Sequence, residues 1–145
     1  MKDSQKSLLI EVISASFIFL FSYTAIHKFF AHETFKTVLL QSPLISHMAE
    51  FLMVFVPSAE IFVALLLFFP LTRAVGLYGS FALMSLFTIY IIYMLISASH
   101  LPCSCGGAIE KLSWRGHLLL NAFLTGLSIY AIRLSKKQVF KKQEV

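Results

Sequence analysis

Charge is what this sequence has least of. Asp, Glu, Lys and Arg together make up 13% of its 145 residues, where a water-soluble domain carries about a quarter. Apolar residues fill the space, at 58% of the chain with a mean hydropathy of +0.81. They fall in long runs and lack the alternation of a half-buried strand or the stripe of a soluble amphipathic helix. The pattern argues against a soluble globular domain and predicts an all-α integral membrane protein, a single domain at this length. No internal repeat or low-complexity linker divides it. Nucleic acid is not an indicated partner, despite the formal charge of +5. The largest basic cluster, Lys136, Lys137, Lys141 and Lys142, directly follows an apolar run, which is how a cytoplasmic membrane anchor reads. Cysteine is nearly absent too: Cys103 and Cys105 are the only two.

Four runs are long enough to cross a hydrocarbon core of about 30 Å: residues 8–30, 48–69, 74–96 and 116–134. The first is too long for the core of a cleaved signal peptide, about 7–15 residues, and no small-x-small cleavage site follows it, so a retained span is expected. Between the first two spans, Phe35, Val38 and Leu39 share one face of a short segment that ends before Ser42-Pro43. That predicts an amphipathic helix on the membrane surface. The second span contains Pro57 and Glu60, and Pro70-Leu71-Thr72-Arg73 makes a tight turn to the third.

With four spans, both termini and Arg73 share one side. That side carries Lys2, Lys6, Arg73, Arg133 and the four tail lysines, against Lys28, Lys36, Lys111 and Arg115 on the other. The positive-inside rule then predicts cytoplasmic termini. In a bacterium the chain would sit in the inner membrane, with the loop over 97–115 facing the periplasm, where disulfides form and persist. All five histidines, His27, His32, His47, His100 and His117, fall on or near that outer side.

Cys103 and Cys105 sit one residue apart in Pro102-Cys103-Ser104-Cys105-Gly106-Gly107. Two thiols at this spacing can close as a disulfide, share a metal, or exchange with a partner's thiol. Their alpha carbons reach the upper part of the usual 4.4–6.8 Å disulfide window when the chain is extended. So small a ring restricts the unfolded chain little, which suits an exchanging pair better than a structural staple. The bland alternative is a passive disulfide or inert thiols. Zinc would need further ligands, which His100 and His117 would supply, and two soft sulfurs also suit Cu(I).

The string Leu101-Pro102-Cys103-Ser104-Cys105-Gly106-Gly107, then Leu112-Ser113-Trp114, His117 and Asn121, resembles the MauE branch of the DoxX-like membrane proteins. His27-Lys28-Phe29, Pro57-x-x-Glu60 and Arg73 fit the same pattern. The resemblance covers nearly the whole chain. It implies a four-helix membrane bundle, distantly similar to vitamin K epoxide reductase-like proteins. It also implies a redox-associated role, since the name-giving member is associated with maturation of a disulfide-rich periplasmic subunit for methylamine use. Vitamin K epoxide reductase-like enzymes use Cys-x-x-Cys, often with a second pair as relay. This chain has one pair at the shorter spacing, so a relay needs a partner protein or a cofactor. A quinone enters by analogy alone and has no signature in the sequence; the cofactor is otherwise unknown.

Glu60 is the next candidate. An ionised carboxylate in mid-membrane costs about 2.5–3.5 kcal/mol on insertion scales, so it is expected to face the bundle interior beside a partner. It would serve thiol chemistry as a proton acceptor, or simply fix packing through an interhelical hydrogen bond. His117 and Asn121 share a helix face at the end of the cysteine segment. His117 would withdraw a thiol proton or stabilise a thiolate, with Asn121 orienting it; alternatively both are interfacial packing residues. His27 and Lys28 approach the same side from the first span, where a headgroup anchor is the first expectation. Trp114 and Arg115 read as interface residues, Arg115 also as an aid to a thiolate. The reading this supports is a membrane thiol–disulfide component working with a periplasmic thioredoxin-like partner or client. The competing readings are a non-catalytic subunit of a larger membrane complex and a soft-metal-binding membrane protein.

Overall fold

A computed structural model describes residues 3–97 and 114–143, with side chains of the last helix described over 115–137. The helices are α1 (Asp3–Phe30), α2 (His32–Gln41), α3 (Ala49–Phe68), α4 (Arg73–Ser97) and α5 (Trp114–Gln143), with a 3-10 turn at Ser46–Met48 before α3. No strand occurs among the described residues. Four of the helices, all but α2, are long and apolar enough to cross a membrane. The chain therefore forms an all-α membrane bundle. Helices suit a bilayer because each satisfies its own backbone N–H and C=O groups where no water is available.

Neighbouring spans run antiparallel. One end of the bundle, the terminal end, holds the start of α1, the 69–72 turn and the end of α5. The other, the loop end, holds α2 and the ends of α4 and α5 that the 98–113 segment joins. Around the bundle, α3 packs between α1 and α4, and α4 between α3 and α5. The α1–α5 contact closing the circle is much the thinner one.

The core is densest toward the terminal end. Phe17 and Phe21 of α1 stack at 5.7 Å between ring centroids. Ile10 and Ile13 lie below them, with Val63 and Leu67 from α3, Leu77 and Met84 from α4, and Ala131 and Leu134 from α5. Lipid tails are as apolar as these side chains, so close packing rather than escape from water holds the spans together. Gly76 shows how close. A Cβ placed there would meet the Leu67 backbone nitrogen at 2.8 Å, and one at Gly79 would meet Val63 Cγ2 at 2.9 Å. Only glycine lets α4 approach α3 this tightly.

The α3–α4 turn is chemically closed. Carbonyls at the end of α3 have no partner within the helix. Here the Thr72 hydroxyl donates to the Leu66 carbonyl at 2.8 Å and Arg73 Nε to that of Leu67 at 3.3 Å. Arg73 also lies 3.6 Å from Glu11, tying the turn to α1. Inside the spans, hydroxyls fold back on their own helices: Ser80 donates to the Gly76 carbonyl and Ser128 to that of Leu124. This is how a membrane helix keeps a buried hydroxyl satisfied.

On α2 the buried side chains are Val38 and Leu39. The helix packs on α3, where Lys36 reaches Glu50 at 3.2 Å. α5 extends well past its apolar run, to Gln143.

Candidate functional site

Glu60 sits near the middle of the 20-residue α3, on the face that also buries Pro57, Val63 and Ala64. Its side chain is 1% exposed, and Lys28 of α1 pairs with it at 2.5 Å. The Lys28 side chain is itself only 12% exposed. The ammonium is bounded by two aromatic rings, with Phe35 of α2 at 5.7 Å and Phe87 of α4 at 5.1 Å to the centroids. One lysine thus touches groups from three other helices. Each cation–ring contact is worth about 0.5–2 kcal/mol, more where water is absent.

Lys28 was expected to reach out to headgroups; instead it turns into the bundle. The cause lies in helix geometry. Side chains lean toward the N-terminus of their own helix. Lys28 stands near the C-terminal, loop end of α1, so this lean carries its stem toward the membrane interior. An outward course would run against it, whereas the inward one brings the ammonium to Glu60.

The carboxylate keeps one oxygen in reserve. Oε1 takes the Lys28 bond. Thr24 lies beside the carboxylate, but its hydroxyl donates to the Phe21 carbonyl at 3.3 Å. Oε2 is therefore buried with no hydrogen-bond partner among the described residues. Buried acceptors are rarely left so, because the lost hydration is costly. An acceptor in this position is a ready recipient for a proton or a donor group. Pro57, one turn before Glu60, is buried in the same helix. It has no N–H, so it removes one intrahelical bond from the loop-end half of α3.

His27, next to Lys28, is half-buried. Its ring is tilted against Tyr23 at 6.4 Å, and its Nδ1 is buried without a hydrogen-bond partner among the described residues. On α5, His117 and Asn121 are both half-buried, and Arg115 is exposed. Asn121 Nδ2 donates to the His117 backbone carbonyl at 3.1 Å, so that amide donor is used along its own helix. Cys103, Cys105 and His100 lie outside the described residues, as does the loop they belong to, and the Trp114 side chain with them. Among the described residues, no group of three or more His, Cys, Asp or Glu side chains could hold a metal ion.

Sequence reasoning had asked for a partner to Glu60 without finding it, and missed Thr24, Phe35 and Phe87 entirely. Phe35 carried a weak signal, as the first residue of the α2 apolar face. Thr24 and Phe87 carried none.

Four lipid-crossing helices around a buried charge pair define a multi-pass integral membrane protein. The family model for Methylamine utilisation protein MauE matches residues 6–134, and the chain belongs to that family. No curated protein and no solved structure matches it.

Proposed function

We propose that this chain is a membrane thiol–disulfide component, exchanging its Cys103–Cys105 pair with a thioredoxin-like or client protein. One observation carries the reading: the only two cysteines belong to the segment that joins α4 to α5. The helix ends that it connects lie at the same end of the bundle as α2 and the Lys28 end of α1. The family's link to methylamine utilisation agrees with an accessory role in maturing an enzyme.

The exchange balances without an outside oxidant. A thiolate of the pair attacks the partner's disulfide, forming a mixed disulfide and releasing one partner thiolate. The second cysteine of the pair attacks the mixed disulfide in turn. The chain leaves as the disulfide and the partner as the dithiol, two electrons having passed to the partner. Two thiol protons leave the pair and two are taken up by the partner's sulfurs. His117, at the start of α5, and Glu60, whose Oε2 has no hydrogen-bond partner among the described residues, are the proposed holders of those protons in transit. Lys28, paired with Glu60, is the proposed positioning residue. His27, Asn121 and Arg115 are the proposed surroundings of the pair. Lys and Arg placement supports cytoplasmic termini and a periplasmic cysteine loop, in a bacterial inner membrane.

Thiol trapping in intact cells tests this. A membrane-impermeant maleimide, applied with and without prior reduction, should label an outward-facing pair whose redox state follows added oxidant and reductant. A Cys103→Ser or Cys105→Ser variant should then accumulate a mixed disulfide with its partner. A pair locked in one state through those challenges overturns the exchange reading in favour of a structural subunit. Labelling only after cell rupture overturns the orientation.

A further inference from the structure

The outward face of α5 is divided chemically along its length. Leu119, Ala122, Phe123, Gly126, Ile129 and Tyr130 recur at helical spacing and all are exposed. Ala122 and Gly126 are the small members of this stripe, and a Cβ added at Gly126 would meet nothing within 4 Å. The face is therefore a shallow groove, walled by larger apolar side chains. About two turns beyond Gly126, at a rise of about 1.5 Å per residue, the same face becomes basic. Arg133, Lys136 and Lys137 are all exposed there. The apolar run of α5 stops near Leu134, so these side chains stand at headgroup level at the terminal end. Lys136 Nζ also lies 5.9 Å over the ring of Tyr78 on α4, which draws it toward the α4–α5 seam.

None of the three has a carboxylate partner among the described residues. The described acids sit elsewhere: Asp3 and Glu11 on α1, Glu33 on α2, Glu50 and Glu60 on α3. A second copy is a poor occupant for this face. Two copies in one membrane share an orientation, so an α5–α5 contact would set Arg133, Lys136 and Lys137 against the same three cations. An anionic phospholipid fits both halves of the face. Its phosphate meets three cations without a carboxylate partner among the described residues, and an acyl chain follows the groove past Gly126 toward Ala122.

We infer that the outward face of α5 is a binding site for one anionic phospholipid of the terminal-end leaflet. Each basic side chain near a membrane surface is worth about fivefold in affinity for anionic lipid. Neutralising all three should lower the preference for anionic over zwitterionic lipid on the order of a hundredfold.

The test is native mass spectrometry of the full chain in mild detergent, with equal phosphatidylglycerol and phosphatidylcholine. The wild-type chain should retain phosphatidylglycerol selectively, and R133Q/K136Q/K137Q should lose that selectivity. Gly126→Leu, which fills the groove but keeps the cations, should weaken retention of both lipids alike. Melting in nanodiscs gives a second readout, with a higher midpoint in phosphatidylglycerol for the wild type alone. Equal retention of both lipids by the wild type overturns the inference, as does selectivity that survives the triple substitution. Displacement of the lipid by millimolar inorganic phosphate points to a free-anion site and overturns it too. So does a cysteine at position 126 that crosslinks efficiently to a second copy or another protein's helix.

Discussion

Around Gly76 the helices meet backbone to backbone with no room for a methyl group; around Glu60 they meet through a charge. The terminal half is held by shape. Phe17, Phe21, Leu67 and Leu77 are all but fully enclosed there, and Gly76 sets the α3–α4 distance. The loop half is less closely enclosed, and α5 shows this best. None of its residues from 115 to 127 is buried, whereas Ser128, Ala131 and Leu134 are. In the loop half the Lys28 ammonium of α1 touches groups from α2, α3 and α4 at once. A half held by shape is rigid and indifferent to ionisation. The loop half buries Ala25, Val38, Leu39, Ala49 and Met94 as well, but its central Lys28–Glu60 contact depends on the charge state of two groups. Chemistry is expected where packing is loosest.

The sharpest way to break this contrast is to add a side chain on each side of it. Gly76→Leu should prevent a stable bundle, because its Cβ alone would stand 2.8 Å from the Leu67 nitrogen. Overpacking of this kind typically costs about 1–3 kcal/mol and more where backbone must move. Gly126→Ala adds a Cβ that meets nothing, and its melting midpoint should match the wild type. Detergent melting curves for the two variants decide the point. Equal losses at both positions would remove the distinction between the halves.

The ion pair comes next in size. Removing one partner of a buried pair leaves an uncompensated charge and costs about 3–5 kcal/mol. Lys28→Met and Glu60→Gln should each destabilise the bundle, Lys28→Met the more because it strands a carboxylate. The double variant should recover most of the loss, since two neutral side chains of similar shape leave no charge to compensate. Thiol exchange separates structure from chemistry. If Glu60 handles protons, the double variant folds but exchanges slowly, and Glu60→Gln alone is equally slow. Full exchange rates in Glu60→Gln would leave Glu60 a packing residue.

The fold was legible because its determinants are local. Four long apolar runs, Pro43 and the Pro70–Arg73 turn announce themselves without reference to anything distant, and the all-α membrane bundle follows from them. The pair was only half legible. Glu60 advertised a need for a counter-charge by sitting inside an apolar run. Its partner lies 32 residues away, and choosing Lys28 over Lys36 requires the α1–α3 register. That register is set by packing such as Phe21 and Val63 in one core, which no single segment encodes. The lean of Lys28 toward the N-terminus of α1 was available from helix geometry, and it points to the interior rather than to headgroups. The end of α5 was illegible for the opposite reason. Its apolar run stops near Leu134 while the helix continues to Gln143, because lysine and glutamine are good helix formers with no need of lipid.

The smallest effect separates the two ion pairs that cross between spans. Arg73 and Glu11 stand 3.6 Å apart with side chains 23% and 58% exposed, where Lys28 and Glu60 are 12% and 1% exposed. A pair so open to the headgroup region is worth about 0–1 kcal/mol, so Glu11→Gln should shift the melting midpoint barely at all. Arg73→Ala should cost more than Glu11→Gln, because Arg73 Nε also donates to the Leu67 carbonyl at the end of α3. Removing it strips a helix end of a charge-assisted bond, worth about 1.5–3 kcal/mol where buried and less at this exposure. The asymmetry is the informative part. At Lys28 and Glu60 both single substitutions should hurt and the double should heal. At Glu11 and Arg73 the acid should be dispensable, and substituting both should cost no more than losing the arginine. Melting curves for the two double-substitution cycles, run in the same detergent, measure that difference directly. A coupling energy at Glu11–Arg73 as large as the one at Lys28–Glu60 would mean that the terminal half, too, is held by charge.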